Sequence, residues 1–536
     1  MAGSQDCGVP DFDVVIVGGG HNGLVAAGYL ARAGLRVRLL ERLGHVGGAA
    51  VSAQAFDGVE VRVSRYSYLV SLLPRRIIED LGAPVRLARR RLSSYTPDPA
   101  TAGRSGLLVG SQRGHTFAAI GAACDEPGFA EFYRRCRLVT ERLWPTLLEP
   151  LRTRQQARRH VLESGDADAT AAWRAMVDEP IGRAIAGAVS NDLVRGVIAT
   201  DALIGTFASL DDQAMRQNIC FLYHIIGGDW DVPIGGMGSV TAALATAAVR
   251  HGAEIVTGAE VYAINPDGRV RYRSGDDEHR IRGQFVLAGV TPAVLAGLLG
   301  EQPPQLAQGA QVKVNMVLGR LPRLRDDNVT PEQAFSGTFH VNETLTQLDA
   351  AYARATAGQL PDPLPCEAYC HSLTDPSILS AGLRASGAQT MTVFGLHTPH
   401  SLVSDSSDSS ESDVFRHQLT ESVLASLNSV LAEPIQDVLM TDAHGRPCIE
   451  TTTTLDLQRS LRMTAGNIFH GALSWPFAED DDALDTAARQ WGVATAHKRI
   501  MLCGSGARRG GAVSGIGGHN AAMAVLVAYD RESMPT

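Results

Sequence analysis

DVVIVGGGHNG, residues 13–23, is the stretch that decides the fold. Its first five residues are mostly β-branched and apolar, which is typical of a buried strand. Its second half carries glycines at the three fixed positions of a G-x-G-x-x-G turn. The small and apolar residues 24–33 predict a helix packed closely on a sheet, and residues 35–40 predict a second strand. The order of these elements predicts a βαβ unit.

The glycine turn also has a chemical meaning. Its three glycines allow a tight turn, the close approach of a pyrophosphate to the backbone, and close packing of helix on strand. The helix that follows offers free N–H groups and a partial positive charge to phosphates. Glu41, 18 residues beyond Gly23, stands where a carboxylate can accept the hydroxyl protons of a ribose. The pattern therefore predicts a dinucleotide site that includes Val17, Gly18, Gly19, Gly20, His21, Asn22, Gly23 and Glu41.

A second glycine pair, Gly47-Gly48, follows Glu41 closely. A nicotinamide dinucleotide has no need of such a pair. The phosphates and ribityl chain of FAD, however, run on past the first turn and need backbone without side chains in the way. Arg42 is a candidate contact to backbone or phosphate, with a solvated charge at the strand end as the alternative. These residues favour FAD as the cofactor and extend its predicted site to Arg42, Gly47 and Gly48.

Size and composition set outer limits on function. A chain of 536 residues with 45% hydrophobic and 20% charged residues predicts an ordinary globular protein of two or more domains. The net charge of −9 argues against a nucleic-acid partner, which would want a basic face. No run of about 18 apolar residues occurs, so we expect no transmembrane span.

The cysteines and the first residues bear on compartment and redox chemistry. The first twelve residues lack the basic start and apolar stretch of a secretory signal. The eight cysteines include no C-x-x-C pair, and the two closest are Cys366 and Cys370. We therefore expect a cytoplasmic protein with reduced thiols, no metal site and no dithiol redox centre.

Further motifs are spread along the chain in a consistent order. Residues 18–52 resemble the N-terminal FAD signature of flavoproteins that include monoamine oxidases and phytoene desaturases. Residues 227–240, 251–264, 466–474 and 502–522 resemble the phytoene desaturase-like, or carotenoid/retinoid oxidoreductase, family. Within that family the chain is most similar to the pyridine nucleotide-disulphide oxidoreductase domain-containing subgroup.

The resemblance implies cofactor contacts outside the first turn. Val261 would hold the adenine through its backbone, and Gly504 and Ser505 would lie by the pyrophosphate and ribityl chain. Gly517 and Gly518 would open the last helix against the pyrimidine edge of the flavin. A helix N-terminus there stabilises the negative charge of reduced flavin.

The chain departs from the family pattern at two places near its C-terminus. Ser505 stands where many such flavoproteins carry Asp, and Arg508-Arg509 replaces a His-Pro pair. The two arginines put in doubt any copying of the family's substrate or flavin-ring contacts at that edge.

Together, the element pattern and the resemblance predict an α/β fold in two parts. One part is a discontinuous Rossmann-type FAD-binding domain, a parallel sheet with helices, made from residues 1–90, 226–300 and 446–536. The other is a mixed α+β substrate domain, with a helical part at 91–225 and a second part at 301–445.

One segment of the predicted substrate domain stands out by its composition. Residues 401–413 are rich in serine and aspartate, and they predict a solvent loop, with a phosphorylated or partner-binding segment as the alternative. A helix is expected to follow from 414 to about 431.

The leading functional hypothesis is an FAD-dependent oxidoreductase, a dehydrogenase or desaturase that takes a hydride from an apolar small molecule. Only one strand–turn–helix fingerprint is visible, so we expect the electrons to pass to oxygen, a quinone or another carrier. An amine oxidase on the same scaffold is one alternative. A non-catalytic protein that keeps FAD and acts by binding partners is another.

The catalytic residue and the membrane relationship stay open at this stage. His470, within the motif NIFHG, is the candidate general base, and a hydrogen-bonded structural histidine is the alternative. The apolar helices of the substrate domain fit hydrophobic substrates, and peripheral attachment to a membrane is a further alternative.

Overall fold

The computed structural model describes residues 10–110, 116–305, 307–403 and 409–533. Two seven-stranded sheets and a helical segment make up most of its regular structure. The first described range contains β1 (Phe12–Val17), α1 (His21–Arg32), β2 (Val37–Leu40), β3 (Ser52–Ala53), β4 (Val63–Ser64), α2 (Arg75–Leu81), β5 (Leu87–Arg89), β6 (Ser94–Pro97) and β7 (Gly106–Val109).

A helical segment comes next in the chain and leads back to the first sheet. Its helices are α3 (Glu126–Leu143), α4 (Arg154–Leu162), α5 (Ala169–Trp173), α6 (Ile181–Ala188), α7 (Asp192–Ala199) and α8 (Arg216–Ile225). The elements that follow are β8 (Asp231–Pro233), α9 (Met237–Arg250), β9 (Glu254–Val256), β10 (Ala259–Ile264), β11 (Arg269–Ser274), β12 (Asp277–Ala288) and α10 (Pro292–Leu299).

The rest of the chain builds most of the second sheet and then closes the first. The second sheet and its helices contain β13 (Gln311–Leu318), α11 (Pro331–Ala334), β14 (Thr338–Val341), α12 (Leu345–Thr356), β15 (Cys366–Tyr369), α13 (Ala381–Ser386), β16 (Gln389–Leu396), α14 (Ser409–Val430) and β17 (Ile449–Thr452). The closing elements are α15 (Thr454–Leu461), α16 (Ala487–Gln490), β18 (Ile500–Leu502) and α17 (Ile516–Ser533).

The first sheet confirms the predicted α/β, Rossmann-like class. Its parallel strands lie in the order β9, β2, β1, β12, β18, so β1 sits at the centre. The first half of the long β12 pairs antiparallel with β11, and β11 pairs with β10. The second half, from Gly283 to Ala288, runs parallel to β1. Because parallel strands end at the same edge, the turns after β1, β12 and β18 meet there.

Helix α1 lies against this sheet and against α9 and α17. It begins at His21, directly after Gly20 and within the G-x-G-x-x-G motif, three residues earlier than the pattern predicts. Two glycines allow the close packing. A Cβ on Gly23 would lie 2.2 Å from the Gly18 carbonyl oxygen, and one on Gly518 would lie 2.0 Å from that of Asn22. The small residues of α1 therefore serve the packing role expected of them.

The second sheet has the order β17-β13-β16-β15-β14-β6-β7. All its neighbours are antiparallel except β14 and β6. Helix α14 packs on one face, where a cluster of buried aliphatic and aromatic side chains forms a separate core. The strands come from three separate stretches of the chain, and the domain boundaries given above stay a prediction.

The Ser/Asp-rich stretch 401–413 differs in part from the loop that its composition predicts. Residues 404–408 lie outside the described residues. Helix α14 already begins at Ser409, with Glu411 in its first turn, where a carboxylate stabilises the helix N-terminus. Among the described helices, none is long and apolar enough to cross a membrane.

Candidate functional site

A deep cleft begins at the carboxyl edge of the first sheet and continues between the helical segment and the second sheet. Its wall contains most of the sequence-predicted cofactor residues, together with groups that were not predicted. The predicted residues that line it are Val17, Gly18, Gly20, His21, Asn22, Gly23, Glu41, Arg42, Gly48, Val261, His470, Gly504 and Ser505.

The glycine turn is shaped as an open cradle. Gly20 is extended, and a Cβ placed on it would meet no atom within 4 Å. No side chain caps the helix that begins at His21, so the N–H groups of its first turn are free for another partner. Gly18 has a φ of +103°, and its Cβ would press on Gly289 at 3.3 Å. Free space, uncapped donors and a positive helix end together suit an anion.

Glu41 is held beside this turn by the backbone. Its Oε2 accepts a hydrogen bond from the Gly19 N–H at 2.7 Å, and its Oε1 accepts one from the Leu43 N–H at 2.8 Å. The residue is buried but still lines the cleft. Gly47 supports the same turn, since its N–H donates to the Gly19 carbonyl at 2.8 Å. Gly19 and Gly47 thus shape the wall without lining it.

Three glycines meet where neighbouring parallel strands end. A Cβ on Gly504, after β18, would lie 3.0 Å from the carbonyl oxygen of Gly289, which follows β12. Gly18 follows β1 and touches the same residue. Gly289 was not predicted from the sequence, although its place directly after a buried strand is a signal that could have been used. The three strand ends approach so closely that a Cβ at any of these glycines would press on the neighbouring backbone.

The remaining predicted contacts fall into two groups. Arg42 lines the cleft and donates from Nη2 to the Ser460 carbonyl at 2.6 Å. Gly517 and Gly518 lie in the first turn of α17 but do not line the cleft. The Gly518 N–H faces Asn22 Oδ1 at 3.4 Å, and both glycines serve helix packing.

Two half-buried histidines face the cradle together. His21 and His470 line the cleft, and each leaves one ring nitrogen, Nε2 and Nδ1 respectively, without a hydrogen-bond partner. Burial lowers the pKa of His470 to about 4. Burial and the nearby His470 lower the pKa of His21 to about 4. Both rings are neutral at pH 7, and His470, the candidate base, lies by the phosphate turn rather than at the far end of the cleft.

The Arg508-Arg509 pair points away from the cleft. Arg509 is buried, and its guanidinium donates to the carbonyls of Thr146, Glu149 and Trp491 at 2.6–3.2 Å. Arg508 donates to the Phe477 carbonyl at 2.8 Å. The departure from the family pattern therefore joins the helical segment to the end of the chain, and neither arginine lines the site.

One end of the cleft, called the far part, is lined by Tyr68, Cys220, His224, Trp230, Lys313 and Phe394. It contains a buried lysine that was not predicted from the sequence. Lys313 is one of two lysines in the whole sequence, and it stands inside the apolar strand β13. Its Nζ donates to the carbonyls of Ser64 and Tyr66 at 2.7 and 2.8 Å. Its Nζ also lies 5.8 and 5.4 Å from the ring centres of Tyr68 and Phe394. Burial holds the pKa of Lys313 well below its usual value. A lysine within an apolar strand was the available sequence signal.

A histidine–aspartate pair also lies in this part. His224 lines the cleft, and its Nε2 is 3.1 Å from Asp201 Oδ1. The Tyr133 hydroxyl donates to Asp201 Oδ2 at 2.8 Å and fixes the carboxylate. Burial lowers the pKa of His224, but the Asp201 carboxylate raises it by more, so the net shift is upward. The sequence carries no signal for this pair, because the helical segment brings the two residues together only on folding.

Comparisons with known proteins agree with this geometry. A family model described as an NAD(P)-binding Rossmann-like domain matches residues 16–72. The rat pyridine nucleotide-disulfide oxidoreductase domain-containing protein 2 is 28% identical over 98% of this chain and 95% of its own length. Among solved structures, cyclohexylamine oxidase from Brevibacterium oxydans has a TM-score of 0.54 and 15% identity, covering 98% of this chain and all of that one. This likeness concerns the fold.

A relative from Mycobacterium tuberculosis, the uncharacterized protein Rv0897c, is far more similar. It is 76% identical over 525 residues, which cover 96% of this chain and 97% of that protein. The described cysteines are all free. The chain therefore belongs to the same family as this mycobacterial protein, and it contains an NAD(P)-binding Rossmann-like domain at its start.

Proposed function

We propose that this protein is an FAD-dependent oxidoreductase, a dehydrogenase or desaturase that acts on an apolar small molecule. The observation that carries the proposal is the open cradle at Gly20, with an uncapped helix on one side and Glu41 on the other. A pyrophosphate fits a site with free N–H donors and no side chain in the way. Glu41 and Val261 would hold the adenosine end of the cofactor.

FAD is favoured over a nicotinamide dinucleotide because the cleft does not stop at the first turn. Gly48, Gly504 and Ser505 continue the same wall towards the second sheet. His21 and His470 add two unpartnered ring nitrogens midway. A long cofactor can therefore lie along one continuous groove, with its reactive ring in the direction of the far part. Bound flavin would supply hydride acceptance, the step that protein side chains cannot perform.

The walls of the far part support a neutral, apolar substrate. They include Leu69, Leu72, Ile204 and Cys220. The part of the cleft beside the glycine turn, Glu41 and Val261 is called the nucleotide part. The described residues that line the cleft include only two carboxylates, Glu41 and Glu260, and both belong to this part. A cationic substrate would find no carboxylate among the described residues that line the far part, and burying an unpaired ammonium there is costly.

His224 is the residue in the far part that we assign to proton transfer. Removing two hydrogens from neighbouring carbons breaks two C–H bonds and forms a C=C bond, with one hydrogen leaving as hydride and the other as a proton. Asp201 holds the Nε2 proton of His224, so Nδ1 is the atom that takes up the substrate proton. Tyr133 keeps Asp201 in position for this.

An amine oxidase is the second candidate, and one observation favours it. Several aromatic rings lie close together in the far part. The ring centres of Tyr68 and Phe394 are 4.5 Å apart, and those of His224 and Trp230 are 5.0 Å apart. Aromatic faces attract a cation and can also flank a neutral amine. The fold likeness to cyclohexylamine oxidase is compatible with this candidate, and the missing counter-charge argues against it.

The decisive experiment measures flavin content and then reduction. The purified protein is expected to contain FAD, identified by absorbance and by mass after release. Under anaerobic conditions, apolar alkenes or saturated rings should bleach the flavin, and alkylamines should not. Bleaching by amines alone would replace the first candidate with the second. A colourless protein that takes up no added FAD would overturn the proposal as a whole, and flavin inert to every substrate would leave the binding-protein alternative.

A further inference from the structure

A second group of ionisable side chains lies outside the cleft, in the second sheet. His340 on β14 and Glu367 on β15 are direct cross-strand partners. Glu343 follows β14 after a turn at Asn342, whose φ of +58° bends the chain back. One potential ligand atom from each of His340, Glu343 and Glu367 lies within 4.8 Å of the others. None of the three lines the cleft.

The two carboxylates of this group are unequally satisfied. Glu367 Oε1 accepts a hydrogen bond from the Thr200 hydroxyl at 2.7 Å, and the Tyr369 hydroxyl donates to Oε2. Glu343 is 1% exposed, yet neither of its oxygens has a hydrogen-bond partner among the described residues. A buried carboxylate without donors is costly, and two adjacent ones repel each other. The group therefore needs either a shared proton or a cation.

The donor atoms suit a metal ion. The Nδ1 of His340 is paired with the Thr96 hydroxyl at 2.9 Å, which orients the ring and leaves Nε2 for a ligand bond. Thr200 and Tyr369 orient Glu367 in the same way. Such outer hydrogen bonds are typical of metal ligands. Imidazole and carboxylate together are ligands of Zn²⁺, Mn²⁺ and Fe²⁺ rather than of Mg²⁺ or Ca²⁺ alone.

The spacing allows such an ion with small side-chain movements. Ligand atoms about 2.1 Å from a tetrahedral zinc lie about 3.4 Å from one another. The ligand atoms lie within 4.8 Å of one another, so their separations need to shorten by at most about 1.4 Å on the ion. Glu343 has both oxygens free, and it can therefore bind through both and complete the coordination.

We propose that His340, Glu343 and Glu367 bind one divalent transition-metal ion, with zinc as the best-suited ion. The ion joins β14 and β15 and, through the hydroxyl of Thr200, connects them to the end of α7. It neutralises the carboxylates and has a structural role. Because the three ligands are buried, the ion enters during folding. The inference does not depend on the proposed flavin chemistry.

The test is the metal content of the full-length protein. The protein is produced in medium supplemented with zinc and manganese, and purified through a tag without histidines and without chelator. Elemental analysis should find about one metal ion per chain. Both Glu343→Gln and His340→Gln should lower this at least tenfold. Glu433→Gln is the matched control, because that buried carboxylate binds Arg320 and Arg323 instead.

Two results would overturn the proposal. The first is a well-folded wild-type protein with less than about a tenth of an ion per chain, which would indicate a proton shared by the two carboxylates. The second is a Glu343→Gln protein that retains the wild-type content. Should Glu343→Gln not fold, the wild-type and His340→Gln measurements decide.

Discussion

The nucleotide part and the far part of the cleft are built in opposite ways. In the nucleotide part, Gly19 bonds Glu41 only 22 residues away, and the whole cradle forms from one βαβ unit with two later strand ends. In the far part, Lys313 reaches back 249 residues to Ser64. The first part is a local design that many proteins share. The second is assembled from distant segments and is where this chain can differ from its relatives.

The largest expected effect breaks the nucleotide part alone. Gly20→Val places a branched side chain in the open cradle. The amount of FAD bound per chain should therefore fall at least a hundredfold, while the fold should remain. Flavin absorbance per chain measures the bound FAD, and circular dichroism measures whether the fold is retained. Gly44→Val is the matched control, because Gly44 is exposed, lies outside the cleft and has no atom near its Cβ position. Stoichiometric FAD in Gly20→Val would show that the cradle is misassigned.

A second variant tests the far part without touching the cradle. His224→Gln should slow anaerobic flavin reduction by about a hundredfold, the usual contribution of a general base. FAD content should not change. His279→Gln, on an exposed strand far from the cleft, serves as the control and should be neutral.

Asp201→Asn sharpens the same test through pH. The carboxylate raises the pKa of His224, and its removal should let that pKa fall. Because the neutral imidazole is the active form, the wild-type reduction rate should rise with pH through this pKa. In Asp201→Asn the rise should move to lower pH. An unchanged profile would exclude His224 as the titrating base.

The contact between the helical segment and the end of the chain, outside the cleft, provides a third test. Arg509→Met removes a buried guanidinium that donates to three carbonyls, and it should lower the free energy of unfolding by about 3 kcal/mol. Denaturant titration measures this. Arg508→Met removes a more exposed arginine and should cost less than about 1 kcal/mol. Equal losses from the two would contradict a specific role for Arg509.

The last prediction concerns acid stability at His397, a buried histidine that does not line the cleft. Burial lowers the pKa of His397 to about 4, below the 6.5 of an unfolded histidine. Between pH 6.5 and 4 the unfolded chain therefore binds a proton that the folded chain does not, and stability falls as pH falls. His397→Asn should reduce this slope by about 1.4 kcal/mol per pH unit. Unfolding titrations at pH 7.5 provide the reference, because His397 is neutral there in both the folded and the unfolded chain.

The helices show how far local pattern reaches. The strand before the glycine turn was predicted almost to the residue, whereas α1 begins at His21 rather than Leu24. The difference arises because His21, Asn22 and Gly23 already form the first turn of the helix, where the helix propensity of Gly23 is low but its close contact with the Gly18 carbonyl requires glycine. Helix α14 likewise extends into serines whose composition predicts a loop.

The glycine turn, Glu41 and the glycines that follow could be singled out from sequence alone, because a βαβ turn places steric demands on consecutive residues; the cofactor that they would hold stays a prediction. The α/β class followed from the same local periodicity. His224 with Asp201, Lys313 under the aromatic rings, and the group of His340, Glu343 and Glu367 were decided only by tertiary structure. Their partners are far apart in the chain, and a single histidine or glutamate has no local pattern to mark it. Burial and proximity create their chemistry, and both exist only in the folded protein.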